Sequence, residues 1–251
     1  DDLSLSILDA SGTVVRTFVR KTDATPEGER TLSAQPGLNR FVWDLRYPNA
    51  TAAPSDITTA KSEIGPRAAP GRYRVQLTAD GAVHEAEFEL VKDPRVSATQ
   101  SDLDAQFGLW TEIRDKVSQA HTAINQIHSV RTQLGEWQRR AIDLPGADQV
   151  DAAVDALGEK LTAIETELAQ QGAMTANDRL RIKARLNAKL ITLASVVAAA
   201  DMRPTDQTYA VYEHLSTQVD AQIDALHAVL ETDLRAVTDL LGELTIPVIR
   251  P

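Results

Sequence analysis

Apolar and polar residues alternate along the first ninety or so positions and recur every three or four positions thereafter. The change falls at Lys92-Asp93-Pro94-Arg95. A period of two places side chains on opposite faces of a strand, whereas a period near 3.6 gathers them on one side of a helix. The pattern divides the chain into a β domain over residues 1–92, a linker over 93–98, a helical bundle over 99–243 and a tail over 244–251. The class it predicts is α+β and multidomain: an immunoglobulin-like β-sandwich followed by an antiparallel bundle of about four helices.

In the β half, Leu3, Leu5 and Ile7 alternate with serines. Asp9-Ala10-Ser11-Gly12 reads as a turn, and Val14 to Val19 returns as a second strand. Residues 21–37 are polar and hold Pro26, Gly28, Pro36 and Gly37, which predicts a long loop. Phe41, Trp43 and Leu45 then alternate with Arg40, Val42 and Asp44, the clearest strand pattern in the chain. Residues 48–70 carry prolines at 48, 54, 66 and 70 and fit a loop or short edge strand. Tyr73, Val75 and Leu77 are expected inward, Asp80-Gly81 is a hairpin turn, and Ala86, Phe88 and Leu90 are expected inward on the return.

The helical half opens at Thr99-Gln100-Ser101-Asp102, a capping-box pattern with Asp in place of Glu. The first helix presents Leu103, Phe107, Trp110, Val117, Ile124, Ile127 and Leu134 on one face, and Leu144-Pro145-Gly146 ends it. The second carries Val150, Val154, Leu157, Leu161, Ile164 and Leu168, and Gln171-Gly172 stops it. A third, capped by Thr175-Ala176-Asn177-Asp178, offers Leu180, Leu186, Leu190, Leu193 and Val197. The fourth follows Pro204-Thr205 with Tyr209, Tyr212, Leu215, Val219, Ile223, Leu226, Leu230, Val237 and Leu241. Pro247 and Pro251 keep the tail from continuing that helix, so it is expected to lie along a neighbouring surface.

Charge and composition narrow the chemistry. The chain has 251 residues, and 26 basic against 36 acidic side chains give a net charge of −10. Most of that excess lies beyond residue 95. An acidic surface repels phosphate backbones and anionic lipid, which argues against nucleic acid and membrane partners. There is no cysteine, so disulfides, thiolate metal sites and thiol nucleophiles are excluded. No apolar run is long enough to span a bilayer. No secretory leader opens the chain, and residues 1–7 already read as a strand in progress, as expected of a piece of a longer precursor.

Candidate chemistry is sparse. His121 and His128 share a helix face, and His214 and His227 lie on the fourth helix. No two histidines stand four apart and no Glu-x-x-His pair occurs, so they read as surface or half-buried structural residues. Glu159, Glu165 and Glu167 read as a solvated helix face. Trp43 beside Asp44 suggests a sugar-stacking pair, but its place with Phe41 and Leu45 favours the core. Trp110 reads as core or domain interface. Asp9, Asp23 and Asp44 are loop carboxylates that folding could gather around calcium. No nucleophile elbow, phosphate-cradling glycine loop or glycosidase carboxylate pair is present. Catalytic, cofactor and metal residues are therefore assigned to none. Trp137, Arg139 and Arg140, at the end of the first long helix, form the candidate interaction surface.

The run Leu5-Ser6-Ile7-Leu8-Asp9-Ala10-Ser11-Gly12-Thr13-Val14-Val15-Arg16-Thr17-Phe18 resembles the opening of a FlgD-type Ig-like module. Gly37-Leu38-Asn39-Arg40-Phe41-Val42-Trp43-Asp44-Leu45-Arg46-Tyr47-Pro48 and Ala69-Pro70-Gly71-Arg72-Tyr73-Arg74-Val75 continue it. With Lys92-Asp93-Pro94-Arg95 and an all-helical end, the whole resembles the C-terminal region of bacterial sortilin/Vps10-like, BNR-repeat β-propeller proteins, often labelled glycosyl hydrolases. The resemblance implies that a propeller precedes this region and is its partner, and that the setting is periplasmic or extracellular. It implies a non-catalytic spacer and docking role for these residues, with protein or glycan ligands. Two alternatives stand beside it: a contribution to a glycoside-processing site built mainly by the propeller, and a carbohydrate-binding Ig-like module.

Overall fold

The computed structural model describes residues 3–23, 25, 29–59, 64–142, 145–172, 175, 177 and 181–243. The tail 244–251, Asp1 and Asp2 at the head of the first strand, Leu144 of the first helix break, and Ala176, Asp178 and Leu180 of the expected third helix lie outside these. The fold is α+β: the described residues form a four-stranded antiparallel sheet and five α-helices, the last two joined by a π turn.

The chain forms two compact units, and they do not follow the boundary that the hydrophobic pattern suggests. One comprises Asp1–Asn49, Ile64–Thr111 and Val197–Pro204, the other Ala50–Glu63, Glu112–Val196 and Thr205–Pro251. The change of periodicity at Lys92 marks where secondary structure changes. It does not register that residues 50–59, between the second and third strands, make their hydrogen bonds to helices.

The first unit holds β1 (Ser4–Leu8), β2 (Val14–Val19), β3 (Gly71–Ala79) and β4 (Ala82–Leu90), in the order β2-β1-β3-β4. β1 and β2 form the hairpin that the Asp9–Gly12 turn predicts, with a register shift at Ile7/Leu8. Asp80 and Gly81 both take positive φ, 50° and 79°, which is the twist a two-residue Asp-Gly hairpin needs. Alternation sorts the sheet into two faces. Ile7, Phe18 and Tyr73 point to a small core with Val15, Leu32 and Ala68. On the opposite face Ser6 bonds Thr17, and Gln76 and Arg74 both bond Glu85.

Phe41 to Leu45, expected as a strand, forms none. The backbone there is irregular, and only Arg46 bridges Arg67. Leu45 adopts φ 60°, a left-handed conformation that a strand cannot continue through. The alternation still delivers side chains inward: Phe41 packs on Phe18 at 4.5 Å, and Trp43 packs edge-on against Tyr73 at 5.7 Å. Ala86, also expected inward, is exposed at the open edge of the sheet. The described residues thus form one sheet faced by irregular chain, and do not show two facing sheets.

The helices are α1 (Gln100–Ala141), α2 (Ala147–Leu168), α3 (Leu186–Val197), α4 (Asp206–Val229) and α5 (Arg235–Glu243). A π turn over Leu230–Leu234 joins α4 to α5, so they form one rod. Asp102 and Thr99 cap α1 reciprocally, as the capping-box pattern predicts. The apolar stripe of α2 is buried throughout, and Leu186, Leu190, Leu193 and Val197 of α3 are buried too.

Helix directions differ from a strict up-and-down alternation. Arg131 reaches Thr162 and Gln138 reaches Asp151, so α2 runs antiparallel to α1. Asn187 meets His121 and Val197 meets Gln106, so α3 also runs antiparallel to α1. Tyr212 bonds Glu112 and Lys116 pairs with Asp220, so α4 runs parallel to α1. The chain does not reverse between α2 and α3. They succeed one another along α1 and act as a single antiparallel rod.

Candidate functional site

The C-terminal turns of α1 carry the surface that the sequence singles out. The Arg140 guanidinium lies over the Trp137 ring, 5.1 Å from its centroid. A cation placed so is attracted by the negative face of the ring. Arg139 turns the other way: its Nε donates to the Gly135 carbonyl at 3.1 Å, which ties it to its own helix. The structure therefore keeps Trp137 with Arg140 and separates Arg139 from them. Trp137 is 38 % exposed and forms the rim of a groove of about 390 Å³. Val130 and Leu134 of α1 line one side, and Leu234, Leu241 and Gly242 the other. The second wall is not visible from the α1 sequence, because residues a hundred positions apart meet only on folding.

The four histidines have separate fates. His121 is 0 % exposed, against the expectation of a surface or half-buried position. Its Nδ1 lies 2.6 Å from the Thr51 carbonyl, which can only accept, so Nδ1 carries the hydrogen. Its Nε2 then accepts from Asn187 Nδ2 at 3.3 Å. The same amide nitrogen donates to Asp56 Oδ2 at 2.8 Å, which fixes the amide orientation. Asp56 is 2 % exposed and accepts two further bonds from the Thr58 N–H and hydroxyl. This chain of bonds, with Asn125 on the Ala52 carbonyl, fastens residues 50–59 to α1 and α3. No spacing rule points to it, because Asp56 lies in a proline-rich loop.

His128 Nε2 donates to the Glu165 carboxylate at 2.6 Å, and Arg131 forms an ion pair with the same carboxylate. Glu165 is 1 % exposed, so the expected solvated acidic face is corrected at this position. It lies one turn from Leu161 and Leu168 on the stripe of α2 that faces α1. Glu159 and Glu167 are exposed. His214 is exposed and bonds Gln218, and His227 is exposed.

The loop carboxylates are held by different partners. Asp9 accepts from the Ser11 hydroxyl and from the N–H groups of Ser11 and Thr13. These bonds, the Ser11 hydroxyl first, hold its pKa below the ordinary carboxylate value. Asp44 pairs with Arg30 and accepts from the Arg46 N–H. Among the described residues, no three His, Asp or Glu side chains gather as a metal site would require.

Trp43 lines a groove of about 730 Å³ on the apolar face of the sheet, with Leu5, Leu77 and Phe88. Its indole N–H donates to the Arg46 carbonyl at 3.2 Å, and its ring is half-buried. It is packed as part of the core with one side left open. Trp43→Ala is expected to cost about 2–3 kcal/mol, below the range for a fully buried aromatic. Urea denaturation of the variant measures this, and an unchanged midpoint would remove the packing role.

No family model, curated protein or solved structure matches this chain.

Proposed function

We propose that this chain is a non-catalytic accessory region, a spacer and docking module that seats against the β-propeller of an exported sortilin/Vps10-like protein. In this reading the first unit is a reduced Ig-like module, with residues 32–47 standing where a second sheet would be. The four-stranded antiparallel sheet, apolar on one face and polar on the other, supports that reading. The exported setting follows from the resemblance.

The observation that carries the docking role is the Trp137–Arg140 pair at the rim of an open apolar groove. Trp and Arg are the residues most often found to dominate binding energy, because each presents a large rigid surface and a polar end. His121, Asp56 and Glu165, side chains suited to acid–base work, are engaged in hydrogen bonds in the interior of the second unit, and the half-exposed His128 is tied to Glu165.

The test is binding of the separately produced propeller to this chain. Trp137→Ala is expected to weaken binding by about 2 kcal/mol or more while the melting temperature stays unchanged. Val196→Ala, at another exposed apolar position, should bind as the parent does. Equal affinity of the Trp137 variant, or turnover of a glycoside by the purified chain, would sink the reading.

A further inference from the structure

Arg46 and Arg67 stand directly opposite one another, as the two residues of an isolated antiparallel bridge. The pairing is held on both sides, by the Tyr47 N–H on the Pro66 carbonyl and the Ala68 N–H on the Leu45 carbonyl. Like charges directly opposite across such a pair repel. The backbone leaves them little freedom to separate. Gly65, just before the bridge, packs so closely that an added Cβ would lie 2.2 Å from the Tyr47 carbonyl oxygen. Arg46 is further pinned by a 2.8 Å bond from its guanidinium to the Gly65 carbonyl, and it lies 5.7 Å over the ring of Trp110.

The two guanidinium groups line one cavity of about 370 Å³ in the first unit, together with Lys92 and Trp110. Lys92 donates one hydrogen to the Ala98 carbonyl at 2.6 Å and retains two others. Among the described residues the buried indole N–H of Trp110 has no acceptor, which adds to the positive potential there. Two carboxylates also border the cavity. Asp93 is neutralised by a two-point pair with Arg95, at 3.0 and 2.6 Å, and Asp44, which acts on Arg46 from outside the lining, is paired with Arg30, so Asp201 is the carboxylate of the lining that faces the three cations. Burial, and after it the like charge of Arg67, holds the Arg46 pKa below its ordinary value.

We infer that this cavity binds a compact oxyanion, a carboxylate or phosphate group, between the Arg46 and Arg67 guanidinium groups with Lys92 beside them. Planar guanidinium forks match both anions by paired N–H···O bonds, and an anion there relieves the repulsion across the bridge. The site lies within the first unit and does not depend on the docking role.

The experiment is calorimetric titration of the whole chain with inorganic phosphate and, separately, with succinate, each against sodium chloride at matched ionic strength. Saturable binding of at least one of the two is expected, with chloride giving none. A response to phosphate alone assigns the site to phosphorylated ligands, and a response to succinate assigns it to carboxylates such as acidic side chains or uronic acids. Arg46→Gln and Arg67→Gln should each weaken binding about tenfold or more, the loss of one charged two-point contact. Arg67 is exposed, so its variant tests the site even if the Arg46 variant folds poorly. Arg72→Gln, on the polar face of the sheet opposite Glu89, should bind as the parent does. No saturable binding of either anion, or equal binding by the parent and the Arg67 variant, overturns the inference.

Discussion

Replacing Arg131 with methionine is expected to cost about 3–5 kcal/mol, because it strips the Glu165 carboxylate of its charged partner in an interior position. Glu165 is 1 % exposed and cannot turn to water, whereas the side chains of Arg131 and His128 are 30 % and 42 % exposed and can. The pair is therefore asymmetric. Glu165→Leu removes the buried charge, extends the apolar stripe of α2, and leaves two partners that hydrate readily. Its cost should be about 1 kcal/mol or less. The double variant should recover most of the stability lost in Arg131→Met, a coupling that neither single change shows. Urea denaturation of the three variants tests this. Equal losses for Arg131→Met and Glu165→Leu would show that the buried charge does not control this contact.

Asn187→Ala is expected to cost about 3 kcal/mol, since it leaves two interior groups and the part-buried Ala188 N–H each short of a partner. Asp56 Oδ2 loses its 2.8 Å donor, His121 Nε2 loses its 3.3 Å donor, and the Ala188 N–H loses the amide oxygen. None of the first two can reach water, at 2 % and 0 % exposure. The loss should be local before it is global. Residues 50–59 are held to the helices by the bonds at Thr51, Ala52 and Asp56, so they should exchange amide hydrogens faster than the α1 core. A variant with parental stability and unchanged exchange at Thr51 would show that the interior amide does not fasten this segment.

The helices were legible because their signal is local. The stripe from Val150 to Leu168 repeats at helical spacing, and every residue of it is buried. Thr99 and Asp102 stand three apart and cap one another. Asp80-Gly81 needs only the conformational freedom of its own two residues to make a hairpin. The same alternation misled at Phe41 to Leu45. A period of two states which side chains go inward, and they do, but it does not state whether a neighbouring strand is there to complete the ladder.

Pairings between distant positions were not legible. His121 and His128 look alike in the chain, seven apart on one helix, yet one is locked into an interior chain of amide and carboxylate bonds and the other sits half-exposed on an ion pair. Glu165 differs from Glu159 and Glu167 only in its angle around α2, which matters once α1 lies alongside. The surface at Trp137 was anticipated from an aromatic beside two arginines. Folding kept Arg140 over the ring, sent Arg139 back to its own helix and supplied the opposite wall from α5.

The sequence by itself determined the α+β class, the hairpin turns, the caps at Thr99 and Thr205 and the apolar stripes, because each depends on residues within a few positions of one another; the third helix starts at Leu186, beyond the cap expected at Thr175–Asp178. Tertiary structure decided that residues 50–59 belong with the helices, that α2 and α3 share one direction, and that Arg46 faces Arg67. The physical reason is that a hydrogen bond or a charge contact acts over only a few ångströms, and distance along the chain sets no such distance in space.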